Sequence, residues 1–238
     1  MLISVVIAED HDLTRKGIRS LLEDRLDARV AATTGDGLEV FPLVDEHNPD
    51  LLVLDLGLPH LNGLDVLRKL REREVPVKVV ILSMHREDAY VSEAFELGVS
   101  GYVLKGAPVE EVIEAVRAAV AGERYLSSDL SVEILDSSRS ADGGAGDRYD
   151  RLTAREREVL QLTAEGYTSK EVGEELCISH RTVDKHREHV KAKLGLNNTA
   201  EMAAYAHRRG LLSSQPDAEM DRDRPGSADT KETSDSPH

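Results

Sequence analysis

Three acids, a hydroxyl and an amine stand at or just beyond the ends of short apolar runs in the first half of this chain. Glu9 and Asp10 follow Ile3 to Ala8, Asp55 follows Leu51 to Leu54, Ser83 follows Val77 to Leu82, and Lys105 follows Tyr102 to Leu104. Parallel strands of an open α/β sheet present their carboxyl ends side by side, and ligands bind at that edge, so these side chains are expected to share one small space. Carboxylates gathered within a few ångströms repel one another unless one keeps its proton or a cation joins them. An oxygen-rich site of this kind suits Mg²⁺, which takes few carboxylates, keeps waters and bridges to phosphate oxygens. Lys105 adds a compact charge for the same phosphate, and Ser83 a hydroxyl hydrogen bond. A carboxylate can itself be the nucleophile in phosphoryl transfer, giving an aspartyl phosphate. Asp55 is the candidate, because it alone caps the most buried-looking run.

The elements that must position these groups are legible as an alternation. The runs Ile3 to Ala8, Ala28 to Thr33, Leu51 to Leu54, Val77 to Leu82 and Gly101 to Leu104 are apolar without strict alternation, as strands buried on both faces are. Helical spacing fills the gaps: Leu13, Ile18, Leu21 and Leu22; Leu38 to His47; Leu64, Leu67 and Leu70; and Glu87 to Leu97, closed by Gly98. Pro108 is placed to start a last helix carrying Val109, Val112, Ile113, Val116 and Val120, with Gly122 as its stop. Five βα units of this kind predict a doubly wound parallel sheet with right-handed crossovers.

Beyond this region the pattern is purely helical. Thr153 with Glu156 and Thr168 with Glu171 are capping-box pairs, Ser179 caps a third helix running to about Leu194, and Asn198 or Thr199 a fourth ending at Gly210. The Ser-, Asp- and Gly-rich stretch before this unit reads as a flexible linker, and the polar tail after Ser213 holds too few apolar residues to fold alone. The expected division is therefore 1–124, a linker over 125–147, a helical domain over 148–213 and a disordered tail over 214–238. A net charge of −15 argues against bulk coating of nucleic acid or membrane, so any nucleic-acid contact must be local. The lone Cys177 excludes an internal disulfide and a cysteine-rich zinc site, and fits a reducing compartment. With no apolar stretch near the roughly 20 residues that span a bilayer and no basic leader, the expectation is a cytoplasmic protein without a membrane partner.

In the first half, Glu9-Asp10-His11, Asp55-Leu56-Gly57-Leu58-Pro59-His60-Leu61-Asn62-Gly63, Ser83-Met84 and Gly101-Tyr102-Val103-Leu104-Lys105 resemble the receiver domain of bacterial two-component response regulators. The resemblance implies a five-stranded flavodoxin-like fold, phosphorylation of Asp55 by a sensor histidine kinase, and Mg²⁺ held by Glu9, Asp10, Asp55 and the Gly57 carbonyl. It also implies that Ser83 and Lys105 hold the phosphoryl group and that Tyr102 is a switch aromatic reorienting with Ser83. Glu9 departs from the Asp found in many members, keeping the charge on a longer arm. His11 beside the acids reads as a loop residue, and Pro59 and Gly63 as turn residues.

The second and third helices of the later unit, joined by a short turn at Cys177 and Ile178, have the form of a helix-turn-helix. Val183, Val190 and Leu194 form its inward stripe, which leaves Arg181, Asp184, Lys185 and Glu188 outward. Between Arg181 and Lys193 five basic residues face two acidic ones, the local excess that a phosphate backbone selects. Leu152 to Leu160, Gly166 to Val172, Ser179 to His186, Lys193-Leu194-Gly195 and Ala206 to Leu211 resemble the LuxR-type helix-turn-helix. By that resemblance Asp184, Lys185 and Glu188 read bases, while Lys170, Thr182 and Lys191 contact phosphate. Arg181 lies on the same DNA-facing side, and the fourth helix around Met202 to Ala206 pairs two copies on DNA. His186 and His189 read as packing or capping residues, and Cys177 as a small buried one.

These readings converge on a response regulator of the NarL/FixJ type: a DNA-binding transcription regulator of promoter DNA, not an enzyme, expected to homodimerise when phosphorylated or DNA-bound. The alternative carried with it is a LuxR-type regulator whose receiver acts without phosphorylation. An aspartate-nucleophile phosphatase would place a second Asp where Gly57 stands. A nucleotide- or flavin-binding switch would need a Gly- or Ser-rich loop where Glu9, Asp10 and Asp12 stand.

Overall fold

A computed structural model of the chain describes residues 2–86, 88–130 and 148–212. The N-terminal domain alternates β1 (Ile3–Ala8), α1 (Asp12–Arg25), β2 (Ala28–Thr34), α2 (Val40–His47), β3 (Leu51–Asp55), α3 (Gly63–Glu72), β4 (Lys78–Ser83), α4 (Asp88–Glu96), β5 (Gly101–Leu104) and α5 (Val109–Ala121). All strands pair in parallel in the order β2-β1-β3-β4-β5, with a short β6 (Tyr125–Leu126) beyond β5. Successive strand residues face opposite sides. Val5, Ile7, Leu51 and Val53 pack with Ile18 and Leu22 of α1 and with Ala115, Val116 and Ala119 of α5. Val6, Ala8, Leu52 and Leu54 pack with α2, α3 and α4 through residues such as Val44, Leu67 and Phe95. Burial on both faces is why these strands read as apolar runs and not as alternations.

β6 corrects the expected strand count and the boundary at 124. Tyr125 N donates to Ser100 O at 3.0 Å and Ser127 N to Tyr102 O at 2.9 Å, so the segment pairs the open edge of β5. Leu130 is 7% exposed and belongs to the same core, so the first six residues assigned to the linker are part of the domain. The rest of that linker, 131–147, lies outside the described residues, as do residue 213 and the tail over 214–238.

The helical domain begins with a 3₁₀ turn (Arg148–Arg151) and continues with α6 (Ala154–Ala164), α7 (Ser169–Glu175), α8 (His180–Leu194) and α9 (Thr199–Arg208). Both capping boxes form, Ser179 accepts from Thr182 N, and Asn198, not Thr199, caps α9. Two apolar clusters hold the helices: Leu160, Val190, Leu194, Met202 and Ala206 in one, and Val159, Leu162, Val172 and Val183 in the other. Gly173 lets the α7–α8 turn close, since a Cβ there would lie 2.7 Å from the Ile178 carbonyl oxygen. No helix among the described residues is long and apolar enough to cross a membrane.

Candidate functional site

The carboxyl ends of β1, β3, β4 and β5 bring the expected residues together. Asp10, Asp55, Gly57, Ser83 and Lys105 all line one cavity of about 910 Å³. Glu9, Asp55 and Ser83 are buried, at 1%, 4% and 1% exposure. The Lys105 Nζ donates to Asp55 Oδ2 at 2.7 Å and to Glu9 Oε1 at 3.0 Å, and Gly57 N donates to Asp55 Oδ1 at 3.0 Å. Burial pushes the Asp55 carboxyl up from its ordinary pKa against the pull of Lys105. Burial and then the neighbouring Asp55 push Glu9 up as well. For Lys105, burial works downward, but the two carboxylates outweigh it and hold the ammonium above its usual value. The site is thus short of positive charge.

The donor set fits a small hard cation. Glu9, Asp10, His11 and Asp55 offer ligand atoms within 4.8 Å of one another. Glu9 Oε2 is buried without a hydrogen bond, although the Lys105 ammonium lies 2.9 Å away, because that ammonium is aligned on Oε1. Oxygen donors of this kind match Mg²⁺. His11 is closer to the chemistry than its loop position implied: its Nδ1 lies 2.6 Å from Asp10 Oδ1 and 3.2 Å from Glu9 Oε1. The glycine after Asn62 is more than a turn residue, since a Cβ on Gly63 would lie 2.3 Å from the Asp55 carbonyl oxygen. Tyr102 is fully buried and its hydroxyl donates to the His85 carbonyl at 3.0 Å.

In the helical domain, α8 presents its expected face. Val183, Val190 and Leu194 are buried, whereas Arg181, Asp184, Lys185 and Glu188 are exposed and Thr182 and Lys191 half-buried. Lys170 on α7 is exposed and pairs with Glu174 at 3.7 Å. Asp184 Oδ1 accepts from the Ser169 hydroxyl at 2.6 Å, which fixes its side chain toward α7. Cys177, expected in the core, is exposed at φ 53, because the tight turn needs a left-handed residue there.

Comparison with known proteins decides what these two domains are. Residues 5–117 match the family described as response regulator receiver domain, and residues 150–206 match bacterial regulatory proteins, luxR family. Oxygen regulatory protein NreC of Staphylococcus haemolyticus (strain JCSC1435) is 37% identical over 213 residues, 87% of this chain and 98% of that protein. The chain is a LuxR-family response regulator. Among solved structures, a LuxR-family two-component response regulator from Aurantimonas sp. SI85-9A1 shares 34% identity over 58% of this regulator and 98% of that chain, with a TM-score of 0.54. RcsB from Salmonella enterica serovar Typhimurium, solved bound to promoter P1flhDC with the phosphomimetic BeF3-, shares 27% identity over 86% of this chain and 98% of that one, also with a TM-score of 0.54. The family is one of DNA-binding regulators, not enzymes.

Two functional features of the regulator escaped the sequence. Arg187 braces the DNA-binding domain, with Nε donating to Thr163 Oγ1 at 2.9 Å, Nη1 to Ser169 Oγ at 2.8 Å and Nη2 to the Tyr167 carbonyl at 2.7 Å. The second is a docking surface between the domains. Gln161 on α6 accepts from Asn62 N at 2.7 Å and donates to the Leu58 carbonyl at 2.8 Å. The buried Tyr149 hydroxyl donates to Asp65 Oδ2 at 2.5 Å, and Arg157 pairs with Asp65 at 3.1 Å. His60 N donates to Glu165, and Lys69 pairs with Glu158. The receiver half of this surface is the β3–α3 segment that follows Asp55.

Proposed function

We propose that this regulator accepts a phosphoryl group on Asp55 from a sensor histidine kinase in the cytoplasm, and that phosphorylation controls its pairing on promoter DNA. The observation that carries the reading is the buried Asp55 carboxylate, open to the cavity and held 2.7 Å from Lys105 in a charge-deficient cluster. An Asp55 oxygen attacks phosphorus, the P–N bond to the kinase histidine breaks, and the leaving imidazole nitrogen reclaims a proton. Lys105 and the Ser83 hydroxyl hold the incoming phosphoryl oxygens. Glu9, Asp10, Asp55 and the Gly57 carbonyl are the residues that would hold Mg²⁺, which when bound neutralises the acids and the phosphoryl charge. Exposed Met84 and Val109 at the cavity rim, with exposed Leu13 on α1, give a protein donor an apolar landing surface.

At the output end, Asp184, Lys185 and Glu188 face base edges while Lys170, Arg181, Thr182 and Lys191 track the phosphates. RcsB, the relative solved on promoter DNA, supports that reading.

With acetyl phosphate and Mg²⁺, the wild-type chain is expected to gain an acid-labile phosphoryl label that Asp55→Asn abolishes. Label surviving the substitution would sink the assignment. Lys191→Ala is expected to weaken binding to every DNA sequence and lower the salt slope by about one, while Lys185→Ala changes sequence preference. Titrations of both variants on matched and scrambled operators separate the roles.

A further inference from the structure

The β4–α4 loop carries a second contact with the DNA-binding domain, built on a residue that no function assigned so far uses. Both ends of His85 are held by the pair read above as the switch. Its backbone N–H donates to Ser83 Oγ at 3.0 Å, and its carbonyl accepts from the Tyr102 hydroxyl at 3.0 Å. Its ring stacks on Tyr90 at 4.5 Å between centroids, tilted by 24°. The Tyr90 hydroxyl donates to the Arg209 carbonyl, at the C-cap of α9. The same imidazole covers Gly210, where a Cβ would lie 2.2 Å from His85 Cε1 and 2.7 Å from Nε2. Around this point Arg209 reaches Glu93 of α4 at 3.6 Å and lies over the Tyr149 ring at 4.4 Å.

We propose that His85 is the positioning residue through which the phosphoacceptor site grips the end of α9, and that phosphoryl capture loosens the grip. The coupling half of this rests on the reading of Ser83 as a phosphoryl ligand. Turning the Ser83 hydroxyl toward Asp55 takes the acceptor away from the His85 N–H. Any displacement of Tyr102 takes the donor away from its carbonyl. Both losses fall on one residue whose ring fits a space that only a glycine leaves open. Stacking and one hydrogen bond are lost together when that ring moves, so the contact responds as a unit to a small shift.

The test uses the full chain labelled at the exposed Cys177 and at a second cysteine, Arg117→Cys, on the exposed side of α5. Interlabel distance reports whether the domains are docked, and a phosphate-affinity gel reports Asp55 occupancy in the same samples. His85→Ala and Gly210→Asn should each raise the open-to-closed ratio roughly tenfold without any phosphodonor, the worth of a stacked pair plus a hydrogen bond. Asparagine tolerates the φ of +59 at Gly210, so that variant isolates the clash of its side chain with the imidazole. In the His85→Ala background, Gly210→Asn should add little, because the ring it strikes is gone. Acetyl phosphate with Mg²⁺ should open the parent protein in proportion to Asp55 occupancy. Variants as closed as the parent, or single effects that add fully in the double variant, would overturn the grip. A parent that is labelled yet stays closed would overturn the coupling. Absence of label would instead overturn the phosphoacceptor reading, while the distances measured without phosphodonor still decide the grip.

Discussion

Two segments leave the phosphoacceptor edge toward the DNA-binding domain, and they are built differently. The one after Asp55 makes a broad, buried, hydrogen-bonded surface through Leu58, His60, Asn62 and Asp65. The one after Ser83 makes a small aromatic contact through His85 and Tyr90. A buried polar surface holds position, because each group removed strands its partner away from water. A stack over a glycine is sensitive to shifts of fractions of an ångström, and its opening releases one hydrogen bond, from the Tyr90 hydroxyl to the Arg209 carbonyl. The first segment therefore sets where the domains meet, and the second is suited to report the state of the site.

Substitutions separate the two roles. The largest effect is expected from Asp65→Ala, which leaves the Tyr149 hydroxyl and Arg157 without their carboxylate. Breaking a buried pair costs about 3 kcal/mol, so the domains should separate with or without phosphodonor, as the distance between labels at Cys177 and Arg117→Cys would reveal. Asp65 also bonds Asn62 at the start of α3, so thermal unfolding of the variant should show the receiver loosened too. An interlabel distance equal to the parent's would mean that the broad surface does not hold the domains. Gln161→Ala is the cleaner version, confined to the DNA-binding side. It strands the Asn62 N–H and the Leu58 carbonyl and should cost about 2 kcal/mol of docking, read as interlabel distance.

The smallest effect is pH. His60 has its pKa raised above the ordinary 6.5 first by its hydrogen bond to Asp36, against a downward push from burial, with Glu165 and Glu175 adding smaller upward shares. Glu165 is raised by burial against the receiver. A raised histidine contributes stability that is complete below its unfolded pKa and lost as pH rises through the folded value; a buried acid with a raised pKa acts in the same direction. Docking should thus weaken from mildly acidic toward alkaline pH. Asp36 stays beside His60 when the domains part, whereas the upward pull of Glu165 and Glu175 and the downward push of burial are both relieved and oppose each other, so the direction is set by the buried Glu165 and the slope should be shallow. Docking that tightens as pH rises would reverse the assignment of these two groups.

What could be read from residue order follows from how local each feature is. Strand-end acids, Lys105, both capping boxes and the Val183–Val190–Leu194 stripe depend on spacing within one element, and each sits where spacing predicts. The docking surface depends on which face of α6 meets another domain. Glu158, Gln161 and Glu165 recur at helical intervals as a polar stripe, which in isolation reads as a solvated face, yet Glu158 and Gln161 are buried. β6 is missed because Tyr125–Leu126 is too short to carry a periodicity, and it forms only because the edge of β5 is open. Cys177 is misplaced because composition favours burial while the turn demands a left-handed backbone.

One consequence of the exposed α8 face concerns how the output scales with the signal. Asp184, Lys185 and Glu188 are exposed in the docked arrangement, so docking does not cover the side chains that the proposed reading places on DNA. What docking restrains is the end of α9, the helix that by resemblance pairs two copies. On the proposed pairing through α9, occupancy of a full operator depends on two molecules having released that helix together, and promoter output scales with the square of the released fraction. A weak kinase signal would be filtered out, and a strong one passed, without any change in affinity for a single half-site.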